Sequence, residues 1–212
     1  MLRILGRTSS SNVQKVQWCC DELGLAYEQE NVGHGIRNRD PDYLAMNPNG
    51  LVPAIIDDGF VLWESNAIIE YLASRHGAGS LYPDDLQTRA LACQWMDWTN
   101  TVAIPARRGL HRTMNVPPPE DRDQQAIAAA RDTFTKTIQM LDDRLAASRH
   151  LTGDAFNIGD MPAGVVTHQW YGFDIDHCHM PNLKRWYESL AERPGYRKHV
   201  MREGGTGRSD ST

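Results

Sequence analysis

The sequence is short of several features that would place it in a specialised class of protein. Its four cysteines are scattered, and none forms a Cys-x-x-Cys pair. We therefore expect reduced thiols, not a disulfide framework. No apolar run approaches the length of a membrane-spanning helix, and the first residues lack the apolar region of a signal peptide. Together these absences predict a cytoplasmic protein.

Positive charge is also scarce. Lys and Arg number 22 against 27 Asp and Glu, which gives a formal net charge of -5. Domains that bind nucleic acid usually carry a basic excess or a basic patch. We therefore expect no nucleic-acid partner, and we expect no metal cofactor.

Two different patterns of secondary structure follow one another along the chain. Residues 1–78 carry strand and helix signals in the order strand, helix, strand, helix, strand, strand, helix, which predicts a small mixed α/β sheet covered by helices. Strand signals then vanish, and residues 86–203 are predicted to be an all-α domain. Its first long helical segment contains Pro105, where we expect a kink. Residues 204–212 are small and polar, which predicts a flexible tail.

A row of hydroxyl side chains lies between the first strand and the first helix, in residues 6–12. A hydroxyl at a helix N-terminus can donate to an anion held near the positive end of the helix dipole. The structural interpretation is equally direct, because Ser and Asn are preferred N-caps.

The Val52-Pro53 step lies between a turn and a strand. Proline tolerates a cis bond, and such a bond would leave the backbone of Val52 free to pair with an extended, peptide-like ligand. An ordinary trans proline at a strand start is the alternative.

An acid and a hydroxyl, Glu64 and Ser65, stand side by side where a predicted strand runs into a helix. Glu64 can accept from an ammonium group, and Ser65 with the free N–H groups of the helix can bind a carboxylate. This pair suits the zwitterionic head of an amino acid. The alternative is that Ser65 is a plain N-cap.

In their order and spacing, these segments resemble the soluble glutathione transferase family over roughly residues 1–200. The strings NPNGLVPAI and DDGFVLWESNAIIEYL are similar to the family signature around the cis-proline and the γ-glutamyl site. GRTSSSNVQKVQWCCDELGL resembles bacterial, serine-type members. LTGDAFNIGDMPAG resembles the capping motif of the helical domain, with Asn157 where Ser or Thr is usual. The resemblance implies a thioredoxin-like domain that holds glutathione and a helical domain that shapes the electrophile pocket.

The resemblance also implies a centre for catalysis. Ser10 stands where serine-type members keep the hydroxyl that holds the glutathione thiolate, and Asn12 is its main rival. Ser9 and Ser11 are weaker candidates. The same loop contains neither Tyr nor Cys, so tyrosine-type and cysteine-type mechanisms are disfavoured.

The remaining roles in holding glutathione follow from the same motifs. Val52 would pair its backbone with the cysteinyl unit, with Pro53 in cis, and Glu64 and Ser65 would hold the γ-glutamyl group. Glutathione is thus expected as a co-substrate.

The electrophile pocket is the least determined part of the prediction. Its candidates come from the helical domain, and for each of them core packing or an exposed helix face is an equally good explanation. They are Arg107, His111, Met114 and Trp170.

The predicted function is conjugation of glutathione to an electrophilic small molecule, or reduction of a hydroperoxide, by a homodimer active in detoxification. Two alternatives stay open. One is a non-catalytic module of the same fold that serves protein–protein contacts, and the other is a specialised catabolic enzyme with the same residues.

Overall fold

The structure is a computed structural model that describes residues 1–202. Two compact units make up this part of the chain. The first comprises Met1–Asp84 together with Arg193–Arg202, and the second takes in Asp85–Glu192. The predicted tail, residues 204–212, lies outside the described residues.

The first unit is built on a sheet with the strand order β2-β1-β3-β4. Strand β1 pairs in parallel with β2, whereas β1 with β3 and β3 with β4 pair antiparallel, so the predicted mixed sheet is confirmed. The strands are β1 (Leu2–Leu5), β2 (Tyr27–Glu30), β3 (Ala54–Asp57) and β4 (Phe60–Trp63). The helices along this stretch are α1 (Ser11–Glu22), α2 (Pro41–Met46) and α3 (Ser65–His76).

The order of these elements follows from local chemistry. Parallel strands need a crossover connection, and α1, with Val13 and Val16 fully buried, supplies it between β1 and β2. Strands β3 and β4 are joined by a tight turn at Asp58 and Gly59, both with positive φ, as expected of a two-residue hairpin. A small core of Leu5, Val32, Tyr43 and Ala54 lies at one end of the sheet, and two of the candidate binding segments begin next to it.

The second unit is all helical over its described residues, which confirms the fold predicted for it. Its α-helices are α4 (Leu86–Trp98), α5 (Ile104–Met114), α6 (Gln124–Leu145), α7 (Asp160–Tyr171) and α8 (Pro181–Ala191). A π-helical segment, Thr99–Ala103, joins α4 to α5, and Pro105 is the second residue of α5. Because proline has no N–H and cannot continue the α-helical ladder, the long segment is interrupted where the sequence predicted a kink.

The predicted capping motif forms at the start of α7. The Asp160 carboxylate, fully buried, accepts from the backbone N–H of Asn157 at 3.1 Å, and the Asn157 Oδ1 accepts from the N–H of Gly159 at 3.0 Å. The reciprocal pair satisfies N–H groups that a helix start leaves without partners. The same carboxylate also accepts from Trp186 Nε1 of α8 at 2.9 Å, which fixes α8 against the start of α7.

A further helix, α9 (Pro194–His199), departs from the expected domain boundary. We expected residues 86–203 to belong to the helical domain, but α9 packs on α1 of the first unit. The rings of Trp18 and Tyr196 lie 4.7 Å apart, and Arg193 forms an ion pair with Glu22 at 3.0 Å. A helix of six residues is too short to produce a readable apolar period, so the sequence did not reveal it.

No helix in residues 1–202 combines the length and the apolar character needed to cross a membrane.

Candidate active site

Ser10 occupies the N-cap position of α1, but its side chain does not cap the helix. Its backbone N–H donates to Arg7 O at 3.0 Å, and its carbonyl accepts from Gln14 N at 2.9 Å. Its hydroxyl makes no capping hydrogen bond, and the residue keeps 9 % of its surface exposed. The hydroxyl is therefore available to a ligand at the N-terminus of a 12-residue helix.

The other polar candidates of this loop have different positions. Ser9 lies in the preceding turn and is exposed, whereas Ser11 and Asn12 are the first two residues of α1 and are half-buried. Gln14 donates through Nε2 to Thr8 O at 3.4 Å, which ties the loop to the helix that follows it.

Gly6 lets this loop approach the Val52 segment. A Cβ on Gly6 would lie 3.4 Å from Val52 Cβ and would overlap Val13 of α1. A larger residue at position 6 would force α1 or the Val52 segment to move. The close approach of α1 to the end of β1 therefore depends on the missing side chain at position 6, and the chain before β3 lies next to this junction.

The Val52–Pro53 peptide is cis, as the sequence hypothesis required. Within residues 1–202 neither backbone polar group of Val52 has a hydrogen-bond partner. The preceding carbonyl, that of Leu51, accepts from Tyr43 Oη at 2.6 Å and from Asn47 Nδ2 at 2.8 Å. Tyr43 and Asn47 thus fix the chain at Leu51, while the Val52 N–H and C=O can pair with an extended backbone.

Glu64 and Ser65 meet at the junction of β4 and α3. Glu64 is exposed and has φ 72° and ψ 110°, a conformation that costs a non-glycine residue roughly 1–3 kcal/mol. Ser65, the first residue of α3, keeps only 4 % of its surface exposed. Backbone strain of this kind concentrates at binding sites, and here it places an acid beside the N–H groups of a helix start.

Comparison with known proteins places the chain in a family. The family model described as "Glutathione S-transferase, N-terminal domain" matches residues 5–80, and that of the C-terminal domain matches residues 101–194. The chain belongs to the glutathione S-transferase family.

Individual relatives match almost the whole transferase chain. Glutathione S-transferase GstB of Escherichia coli is 43% identical over 205 residues, which cover 95% of this chain and 98% of the relative. A theta class glutathione S-transferase of Xanthomonas axonopodis pv. citri, solved with glutathione bound, is 39% identical with a TM-score of 0.88, covering 95% of this chain and 98% of that one. Glutathione S-transferase F13 of Arabidopsis thaliana is 28% identical and covers 93% of this chain and 94% of the relative.

Two basic residues of the transferase escaped the sequence prediction. Arg7 follows Gly6 directly, and its Nε is buried without a hydrogen-bond partner among the described residues; burial lowers its pKa. Lys15 keeps only 2 % of its surface exposed, and its Nζ donates to Asn66 Oδ1 of α3 at 3.1 Å. Burial lowers the pKa of Lys15 to about 7, against the opposing effect of the Glu64 charge. Both residues contribute positive charge to a segment that sequence reasoning had treated as hydroxyls alone.

The cysteines near this region of the transferase are buried and inert. Burial raises the pKa of Cys20 to about 12 and raises that of Cys19 well above its ordinary value. A reactive cysteine needs a low pKa and access to solvent, so neither thiol is a nucleophile. Within residues 1–202 no three or more His, Cys, Asp or Glu side chains are grouped to hold a metal ion.

The four candidates for the electrophile pocket fall into different environments of the second unit. Trp170 is 1 % exposed and packs edge-on against Phe134 with ring centres 4.9 Å apart, so it is a core residue and its assignment to the pocket is withdrawn. Arg107 and His111 of α5 are half-buried. Met114 lines a cavity of about 400 Å³ with Arg122, Gln124, Ile127, Arg131, Asp174, Ile175 and Asp176.

Proposed function

We propose that Ser10 activates the thiol of glutathione, and that the thiolate attacks an electrophilic small molecule. Membership of the family makes the chain a glutathione transferase with glutathione as its co-substrate. The observation that carries the assignment to Ser10 is its uncapped hydroxyl at the N-terminus of α1. The Val52 backbone, which has no partner of its own in the described chain, is available to pair with the rest of the ligand.

The magnitude of one hydrogen bond is sufficient for this role. A free thiol has a pKa of about 8.5, and a hydrogen bond to a charged acceptor contributes roughly 1.5–3 kcal/mol. Because each pKa unit corresponds to about 1.4 kcal/mol, the Ser10 hydroxyl should lower the thiol pKa by roughly one to two units. The dipole of α1 adds to this effect. The thiol proton leaves to solvent, and the sulfur forms a bond to the electrophilic carbon as its leaving group departs.

Backbone hydrogen bonds and oppositely charged groups of the protein would hold the rest of the glutathione molecule. The Val52 N–H and C=O would pair with the cysteinyl unit. Glu64 would accept from the α-ammonium group, and Ser65 with the first N–H groups of α3 would bind the α-carboxylate. These contacts would fix the sulfur beside Ser10 and so contribute through proximity.

An ultraviolet titration of bound glutathione tests the assignment, following the thiolate band from pH 5 to 9. The wild-type enzyme should hold thiolate at pH 7, whereas Ser10→Ala should lose that band and roughly 10–100-fold of kcat/KM. Asn12→Ala is the matched variant, and it should keep both. A thiolate that survives in Ser10→Ala but vanishes in Asn12→Ala would transfer the role to Asn12. Binding of glutathione without any thiolate would favour the non-catalytic alternative.

We further propose that α5 supplies the electrophile pocket through Arg107, His111 and Met114. Arg107 Nε is buried and unpaired among the residues described, and burial beside Arg108 lowers its pKa. A half-buried guanidinium whose Nε has no partner among the described residues favours a substrate with an anionic group. Arg107→Met should therefore lower kcat/KM for an anionic electrophile more than for a neutral one of the same size. Equal losses would contradict this selectivity.

We infer that the enzyme is a cytoplasmic homodimer that serves detoxification. Its cysteines carry no disulfide in the described chain, in keeping with a reducing compartment. Leu86 and Leu91 leave apolar surface exposed on α4, which supports an isologous contact through this helix. Light scattering should give twice the chain mass of 23.9 kDa, and Leu91→Glu should shift the enzyme toward monomer.

A further inference from the structure

Lys15 is a buried ammonium group that no part of the proposed mechanism uses. It lies in the first half of α1 with 2 % of its surface exposed. Its Nζ donates to Asn66 Oδ1 at 3.1 Å, and this is the one hydrogen bond that its side chain makes within residues 1–202. No carboxylate of the described chain lies within ion-pair distance of its Nζ. A buried ammonium group without a carboxylate partner lowers the stability of the folded chain. A structural role alone therefore does not explain why a lysine stands at position 15.

The charges around Lys15 come from two neighbouring helices. Helix α1 packs against α9 and α3. Arg193, just before α9, pairs with Glu22, and Lys198 and His199 of α9 pair with Asp21; both acids lie about 9 Å or more further along α1. The remaining charged or titratable side chains of α9 are Tyr196 and Arg197. On and before α3 the charged or titratable groups are Glu64, Glu70, Tyr71, Arg75 and His76. Of all these, Glu64 is the group whose charge favours the protonated form of Lys15.

The partner of Lys15 belongs to the segment that the proposed function assigns to glutathione. Asn66 follows Ser65 directly, and Glu64 before it has a backbone conformation that non-glycine residues rarely adopt, with φ 72°. A strained segment persists only when surrounding contacts hold it. Lys15, fixed on α1, holds Asn66 by its side chain and acts on Glu64 by its charge.

We propose that Lys15 is a positioning residue for the segment Glu64–Asn66 and that the binding of glutathione's α-carboxylate is coupled to proton uptake by Lys15. The inference rests on the proposed glutathione site. A carboxylate bound at the start of α3 brings negative charge beside Asn66. Opposite charge nearby favours the protonated amine.

The direction of the pH dependence follows from this coupling. Without ligand, Lys15 has a pKa of about 7, so an increasing fraction is neutral as the pH rises above 7. A bound carboxylate raises that pKa, and the site must then take up a proton to bind. Affinity should therefore fall as the pH rises from 6.5 to 8.5.

S-methylglutathione is the probe, because it keeps the glutamyl end of glutathione and has no ionisable thiol. Calorimetric titration at pH 7.5, in buffers that differ in ionisation enthalpy, measures the protons exchanged on binding. The wild-type enzyme should take up a fraction of a proton per site. Lys15→Arg should bind without proton uptake, because arginine stays protonated. Lys15→Met should bind about tenfold more weakly at pH 6.5 and should also show no uptake.

The control is Lys136→Met, on the exposed part of α6, which should keep both the wild-type affinity and the wild-type proton uptake. Thermal unfolding of Lys15→Met establishes that the variant is folded. Wild-type binding without proton uptake, or wild-type affinity in Lys15→Met, would overturn the role of Lys15 and leave the proposed function standing. Failure of the wild-type enzyme to bind S-methylglutathione at all would overturn the glutathione site, and this inference with it.

Discussion

At the scale of single residues, two positions of the site forgo the local hydrogen bonds that their side chains usually make. Ser10 stands at an N-cap, yet its hydroxyl does not cap α1. Glu64 stands at the N-cap of α3 in a strained conformation, again without a capping bond. Both positions therefore give up stability that an ordinary helix start would have. Such departures from local preference are expected where a residue serves a ligand.

The uncapped hydroxyl leads to a prediction about stability. Ser10→Ala should change the free energy of unfolding by less than about 0.5 kcal/mol, because no capping bond is lost. Asp123→Ala is the matched variant, since Asp123 Oδ1 accepts from the N–H groups of Gln125 and Ala126 at 2.9 and 3.1 Å. That variant should lose about 1 kcal/mol. Urea unfolding compares the two, and a similar loss in both would mean that Ser10 does cap α1 in solution.

Lys15 should make the stability of the enzyme depend on pH. Its pKa is about 7 in the folded chain against an ordinary value of 10.5, so the unfolded chain binds more protons between these two values. The free energy of unfolding should therefore rise with pH from 7 towards 10. Lys15→Met should remove this rise and should be more stable than the wild type at pH 6 by about 1–4 kcal/mol. Denaturant unfolding at pH 6, 7.5 and 9 measures the slope, and identical slopes in both proteins would contradict the burial of a titrating Lys15.

The site residues at the junctions of strand and helix can be read from the sequence more readily than Lys15, which lies within a helix. The hydroxyl loop and the Glu64-Ser65 pair stand at junctions of strand and helix, where turn and cap chemistry is readable. Lys15 stands in mid-helix, where a lysine is most often exposed. Its burial depends on how α1 packs against the start of α3, and a sequence pattern carries no information on that contact.

At the scale of elements, the start of α7 depends on a close approach to α4. A Cβ on Gly159 would lie 2.9 Å from the Cα of Ala92, a backbone atom that cannot turn aside. A Cβ on Gly109, within α5, would meet no atom of residues 1–202 within 4 Å. These two glycines make a matched pair within one unit, because one is required by packing and the other is not.

Gly159→Ala should therefore destabilise the enzyme by about 1–3 kcal/mol, the usual cost of overpacking. Gly109→Ala should stabilise it by about 0.5–1 kcal/mol, because alanine is the better helix former. Calorimetric melting temperatures of the two variants and the wild type measure both effects. A melting temperature of Gly159→Ala at or above that of the wild type would contradict the contact with Ala92.

The sequence predicted elements well where capping or turn chemistry marks their ends. Asp40 and Pro41 are typical of a helix start, and α2 begins at Pro41. Asp58 and Gly59 are typical of a two-residue hairpin, and β4 follows directly at Phe60. The π-helical segment Thr99–Ala103 and the six residues of α9 were not predicted. The first differs from an α-helix only in its hydrogen-bond register, and the second is shorter than two helical turns.

At the scale of the whole molecule, the first unit is discontinuous in sequence. It needs Arg193–Arg202 to complete it. Tyr196 is fully buried, and Val200 is 2 % exposed. His199 is 4 % exposed and pairs with Asp21 at 3.0 Å, and burial lowers its pKa even though Asp21 acts in the opposite direction.

A chain truncated after Glu192 should therefore lose stability in the first unit selectively. The loss should exceed about 3 kcal/mol, because Trp18 loses the ring of Tyr196 and a large aromatic side chain no longer fills its place. Amide hydrogen exchange should become faster in α1 and stay unchanged in α6. Equal acceleration in both helices would mean that α9 supports the molecule as a whole, and unchanged exchange in α1 would mean that α9 contributes little.

The placement of α9 also bears on the order in which the polypeptide folds during synthesis. Domains made by the ribosome usually fold one after another from the N-terminus. Here the unit that begins at Met1 lacks its last helix until residue 202 has been made, whereas every residue of Asp85–Glu192 is available ten residues earlier. The nascent chain should thus complete its helical unit before its thioredoxin-like unit, and premature termination near the 3′ end of the message would release a product with that first unit unfinished.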